Sequence, residues 1–283
     1  MTQKYTILFD LDGTLVDTAP DLMKAHNHIM KKYGYKTKSA KEIRNLVGKG
    51  ASALIGRSLW GSAKEEFGKI EDKKVKIFNE AGFQVAIHCI GDKANRIALD
   101  IFEELGNKLS RNRIEHAQII HADDINRYVE LGVIPSMQST HCTSDMYWVD
   151  ERLGPKRIHQ AYPWNSLLNA GSIIPGGSDA PVEIPDPLLG IYAAITRKDI
   201  NDWPKNGWLP YERMTIDQAI SSITEWSAYS MFAEEFYGKI DKGYLADFTV
   251  LNNNLSEIDP KNIPGVKVLY TFVNGEIVYQ DDK

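Results

Sequence analysis

The chain has 283 residues, 43% of them hydrophobic and 25% charged, with a net charge of −5. That composition is globular and leaves room for one large α/β barrel or two domains. The negative balance gives nucleic-acid binding no electrostatic support, and no stretch reaches the roughly 18 apolar residues needed to span a membrane. The charge is uneven: residues 1–69 carry 12 basic and 7 acidic side chains, leaving 21 basic and 31 acidic for residues 70–283. A change of sign at that boundary suggests two origins.

In chain order, KYTILF (4–9) reads as a short buried parallel strand. The N-terminus enters it from polar MTQK, so no signal peptide is expected. The two cysteines, Cys89 and Cys142, sit in no CxxC pair, which suits a reduced, cytoplasmic protein. Pro20 opens a helix that Gly34 ends, Ser39 and Glu42 cap a second over about 40–47, and a third covers 51–59. From Trp60 to Lys76 the sequence is charged and weakly apolar. Strand and helix then alternate: helix 73–81, strand 83–88, helix 93–105, strand 113–117, helix 122–131, strand 133–138, helix 155–170, strand 172–176. That rhythm predicts parallel βα units. A last helix spans about 216–232. ADFTVL (246–251) and a hairpin turning at Asn274-Gly275, of type I′, close the chain with a small antiparallel element.

Two sets of residues could carry chemistry. Asp10 and Asp12 leave the first strand with Gly13 and Thr14 behind them. At a strand's C-terminal end, positions i and i+2 project to one side. Two carboxylates there suit Mg²⁺, with one attacking phosphorus and the other moving a proton. The second set is His88, ending FQVAIH, His116, ending RIEH, and Asp179, following SIIPGGS. Each ends a different predicted parallel strand, where barrel active sites lie. Imidazole nitrogen with carboxylate oxygen suits Zn²⁺, and Asp179 could then accept a proton from water. Taken singly, a histidine at a strand end is more often structural, and Asp in GSD is often turn chemistry; the joint pattern carries the weight. His141, in QSTHCTSD, is a candidate substrate contact. His121 reads as a surface residue at a helix start. His26, His28 and His159 lie on helices and are expected to carry no chemistry.

The string FDLDGTLVDTAPDL resembles the haloacid-dehalogenase family, in particular its phosphoglycolate-phosphatase-like members. The resemblance implies Asp10 as nucleophile and Asp12 as acid/base, with residues 20–59 as the start of a helical cap on a Rossmann-like core. The phosphate binder, lysine and acidic pair that complete such a site have no counterpart after residue 76. AIHCIGDKA, RIEHAQ, SMQSTHCTSDMYW, GGSDAPVEIPDPLLGIYAAITR and GKIDKGYLADFTVLN resemble the amidohydrolase superfamily, in particular its amidohydrolase-3 group, over about residues 77–280. This resemblance implies that His88 and His116 bind metal, that Asp179 binds metal and acts as base, and that the tail is part of a small β-sandwich. It implies hydrolysis of C–N bonds in small amides and N-acyl compounds. The HxH pair of that family's first barrel strand is missing. The only literal match, His26-Asn27-His28, lies on a predicted helix, where i and i+2 diverge by about 200°.

The expected architecture is therefore α/β: a strand plus helical-cap fragment of a phosphatase fold over 1–69, a partial TIM-type barrel (about strands 5–8) over 70–235, and a β-sandwich remnant over 236–283. The favoured function is a metal-dependent amidohydrolase impaired by its missing ligands; the alternatives are a phosphatase and an inactive fusion of two gene fragments. Half a barrel leaves open strand edges, so self-association is expected.

Overall fold

The computed structural model describes residues 75–282 without a break, the strand Thr6–Leu8 and a few single residues between. Asp10, Asp12, His26, His28, the helices expected at 40–47 and 51–59, and most of the seam fall outside the described residues, as does the helix expected at 20–33 apart from Asn27 and Lys31, which are helical. The chain divides into two compact units, Ile7–Phe83 and a second made of Met1–Thr6 with Gln84–Lys283.

In the first unit, helical residues 75–80 stop at Gly82, whose φ of +86° is natural only to glycine. Phe78 and Phe83 meet edge to face across that turn, ring centroids 6.0 Å apart.

The second unit is built on parallel strands. Within it β2 (Gln84–Cys89), β3 (Arg113–His116) and β4 (Ile134–Ser136) run side by side, β2 parallel to β3 and β3 parallel to β4; the strand Thr6–Leu8, numbered β1, straddles the boundary at Thr6/Ile7. Their cores, QVAIHC, RIEH and IPS, sit between helices that cover the sheet. The helix Asp92–Leu105 buries Asn95, Ala98, Leu99 and Phe102, an i, i+3, i+4, i+7 stripe. Its C-cap is Gly106 at φ +62°. Asn95 is wholly buried yet donates from Nδ2 to the carbonyls of Gly91 and Ile119 and accepts from the Tyr128 hydroxyl at 2.5 Å. That network ties β2, β3 and the helix Ile125–Leu131 together.

Three expected elements come out differently. The strand at 172–176 is reduced to one parallel bridge, Met137 with Gly176. The helix at 155–170 is split into a 3₁₀ turn, Ile158–Gln160, and a helix, Trp164–Ala170, because Pro163 lacks the N–H that a continuous helix needs. The helix at 216–232 breaks at Thr224 into Ile216–Ile223 and Glu225–Ser230. Three helices were not expected, Ser139–Asp145, Pro187–Thr196 and, shorter, Val149–Leu153.

Arg197 ends the second of these and is fully buried. Its guanidinium donates to the Trp208 carbonyl at 2.7 Å and the Tyr162 carbonyl at 3.0 Å, and lies 4.4 Å from the Trp164 ring centroid. It pins three loops that carry little regular structure.

The tail forms an antiparallel sheet, β5 (Phe248–Leu251), β6 (Val268–Val273) and β7 (Glu276–Gln280), with β6 central. Asn274 and Gly275 have φ of +52° and +80°, the signature of the expected type I′ turn. Among the described residues no helix is long and apolar enough to cross a membrane.

Candidate functional site

His116 is the last residue of β3, and His141 lies in the helix Ser139–Asp145, which follows β4 directly. Asp179 follows the bridged residue Gly176. Three consecutive parallel segments therefore deliver one side chain each to the same end of the sheet. One ligand atom from each of His116, His141 and Asp179 lies within 4.8 Å of the others. Both histidines are buried, and the Asp179 side chain is 23% exposed.

His88 stands beside this group. Strand β2 runs one residue beyond it, and the register pairs Cys89 with His116 and His88 with Glu115. Period-two alternation alone would put the two imidazoles on opposite faces. His116, however, has a φ of +72° and Ala117 one of +45°, and this left-handed step re-aims the side chain. The His88 and His116 rings meet edge to face, centroids 4.4 Å apart. Asp179 is also left-handed, at φ +54°. Each such residue costs about 1–3 kcal/mol, and strain of this kind gathers at functional sites.

The imidazoles are held from behind. His116 Nδ1 donates to Gln138 Oε1 at 2.8 Å, which leaves Nε2 with its lone pair outward. His141 Nδ1 lies 3.4 Å from the Gln118 side-chain amide. Its Nε2 is buried with no hydrogen-bond partner among the described residues; the Asp179 Oδ2 is 3.8 Å away. Burial, and secondarily the neighbouring His116, pull the His141 pKa down from 6.5 to about 4. His141 is thus neutral at physiological pH, the form that binds metal.

The donor set fits a borderline divalent ion. Zn²⁺ takes imidazole nitrogen and carboxylate oxygen at about 2.0–2.2 Å, and closing a spread of 4.8 Å onto such an ion needs only side-chain movement. An orphaned buried nitrogen beside a carboxylate is the kind of vacancy a cation relieves.

The other expected site residues fall as follows. His121 caps the 3₁₀ turn Ala122–Asp124, accepting from the Asp123 N–H, as a surface residue should. His159 is exposed. Cys89 and Cys142 are buried and form no disulfide. His141, read from sequence as a substrate contact, joins the ligand-competent group; no apolar periodicity marks STHCTSD as a helix, so its placement was not legible.

A family model described as "Amidohydrolase family" matches residues 9–279. The chain belongs to the amidohydrolase family. Within that family it is 38% identical to YtcJ of Bacillus subtilis (strain 168) over 202 residues, which cover 71% of this chain and 38% of YtcJ. Its fold is similar to the crystal structure of an uncharacterized metal-dependent hydrolase from Pyrococcus horikoshii OT3, with a TM-score of 0.61, 29% identity, and coverage of 68% of this chain and 38% of that one. The chain thus spans under two fifths of the length of these amidohydrolase relatives. A stretch of 63 residues, 22% of the chain, is 49% identical to the phosphoglycolate phosphatase of Colwellia psychrerythraea (strain 34H) and covers 28% of it. The chain is a chimera, a short phosphatase-like piece joined to an amidohydrolase piece.

Proposed function

We propose that the amidohydrolase piece is a single-metal hydrolase of C–N bonds in small, non-peptide amides. The observation that carries this reading is the convergence of His116, His141 and Asp179 from three parallel segments, with His141 Nε2 buried and unsatisfied. His116, His141 and Asp179 would hold the ion, zinc by the chemistry of the donors, with His88 at the edge of the group as a further ligand. Zinc, when bound, supplies Lewis acidity that polarises the amide carbonyl and brings the pKa of water down to about 7. Asp179 accepts the proton released from water and returns it to the leaving nitrogen. Gln138 and Gln118 fix the two imidazoles so that Nε2 of each faces the ion. Among the described residues the site has no HxH pair, and slow turnover is the expected consequence.

In this reading residues 70–235 form half of a TIM-type barrel, 236–283 a sandwich remnant, and 1–69 the phosphatase-like fragment. The open barrel edges favour self-association, and the setting is the cytoplasm. A second reading, Mg²⁺-dependent phosphatase chemistry at Asp10 and Asp12, rests on the 49% identity of the short piece to a phosphoglycolate phosphatase. Coverage of 28% of that protein leaves most of its machinery unmatched, which makes the second reading the weaker.

The experiment is hydrolysis of N-formyl and N-acetyl anilines by the zinc-loaded full chain. Release of amine that stops in Asp179→Asn and under chelation supports the amidohydrolase reading; release that persists in Asp179→Asn overturns it. Phosphate release from a small monoester, lost in Asp10→Asn, would establish the phosphatase reading instead.

A further inference from the structure

Beside the candidate metal group lies a cavity of about 240 Å³. Its lining includes Thr140 and Ser178, the residues immediately before His141 and Asp179, together with Ile184, Gly190 and Ala194; the candidate ligands themselves do not line it. The cavity therefore adjoins the main chain that positions two of the three candidate ligands.

Gly190 is the informative residue. It occupies the interior of the helix Pro187–Thr196, where glycine weakens a helix relative to alanine. Its backbone is not left-handed, and a Cβ built on it would meet nothing within 4 Å. Neither conformation nor packing calls for glycine there. A side chain would instead project into open space. Gly177, also in the lining, likewise has no neighbour within 4 Å of its built Cβ. At the mouth, Ile184 is 65% exposed, an apolar side chain left in water beside a cavity. Thr140 Oγ1 is buried in the wall with no hydrogen-bond partner.

We infer that this cavity is the substrate's side-chain subsite, that it takes a compact apolar group such as a phenyl ring, and that Gly190 and Ile184 set its size limit. This rests on the hydrolase reading above for its biological meaning, but binding tests it without turnover. A cavity of about 150 Å³ already admits benzene, so the space here suits a phenyl group with room for its attachment. Apolar Ile184, Ala194 and Ile223 share the lining with the polar Thr140, Asp186 and Ser222, and apolar surface with a few polar groups is the usual form of a small-molecule pocket.

The test is titration of benzamide and acetamide against the full chain by ligand-observed NMR, with and without zinc. Benzamide should bind at least tenfold more tightly than acetamide. Gly190→Leu, which fills the cavity and suits the helix, should erase that preference while leaving zinc binding intact. Ile184→Glu, at an exposed position that folding tolerates, should lower benzamide affinity at least fivefold and carries the test if Gly190→Leu does not fold. No preference in the unaltered chain, or a preference that survives both substitutions in folded protein, overturns the inference. A preserved benzamide preference with no amide hydrolysis would count against the hydrolase reading alone.

Discussion

Replacing Gln138 by leucine tests how the candidate metal group is organised. Gln138 is 7% exposed, and its Oε1 is the acceptor for His116 Nδ1 at 2.8 Å. Leucine matches its volume closely but accepts nothing. His116 would lose the partner that fixes both its tautomer and its ring plane, and the proton could move to Nε2, the nitrogen needed for metal. Losing such an outer partner usually weakens metal binding about 10–100-fold, or ~1.4–2.7 kcal/mol. Zinc affinity is measured by competition with a chromophoric chelator at pH 7.5. Gln138→Glu keeps an acceptor at the same place and should retain affinity or raise it. Zinc affinity unchanged within threefold in folded Gln138→Leu would refute the idea that His116 presents Nε2 to a metal.

Other consequences concern stability. Arg197→Met removes the donors for the buried Trp208 and Tyr162 carbonyls and the cation over Trp164. Breaking a buried charged network of this kind costs about 3–5 kcal/mol, so the denaturant midpoint should fall sharply, and a change under 1 kcal/mol would show that the carbonyls find other donors. His141 makes metal-free stability depend on pH. Its folded pKa, about 4, lies below the ordinary 6.5, so between these values the unfolded chain binds a proton that the folded chain refuses. Stability contributed by His141 is complete above pH 6.5 and drains away as the pH falls towards 4, by about 3 kcal/mol in all. Urea melts of the metal-free chain at pH 7 and 4.5 should show this loss, and His141→Asn should flatten it; an equal loss in the variant would place the titrating group elsewhere.

The parts of the fold written in local chemistry were readable. QVAIHC is a short, largely apolar run between Gly82 and Gly91, RIEH is set by the alternation of strand and helix around it, and Asn274-Gly275 can adopt two successive positive φ values where most residue pairs cannot. The helix Pro187–Thr196 carries a start signal, Asp186 as N-cap with Pro187 at the first helical position, but the prolines around it point equally to a loop. The helix Ser139–Asp145 was not readable at all. Its sequence, STHCTSD, has weak helix propensity, and burial of Ser139, His141, Cys142 and Thr143 stabilises it instead. That is why His141 could be named from sequence but not set beside Asp179. The re-aiming of His116 was equally hidden, because a left-handed histidine at a strand end leaves no trace in residue type.

The most direct test of the account is metal content. The full chain, purified, loaded with zinc and exhaustively dialysed, should retain one equivalent by elemental analysis. Asp179→Asn and the His116→Gln/His141→Gln double substitution, each shown to be folded by circular dichroism, should retain little or none. One full equivalent kept by the folded double variant, or none bound by the unaltered chain, would contradict the assignment of His116, His141 and Asp179 as the metal site.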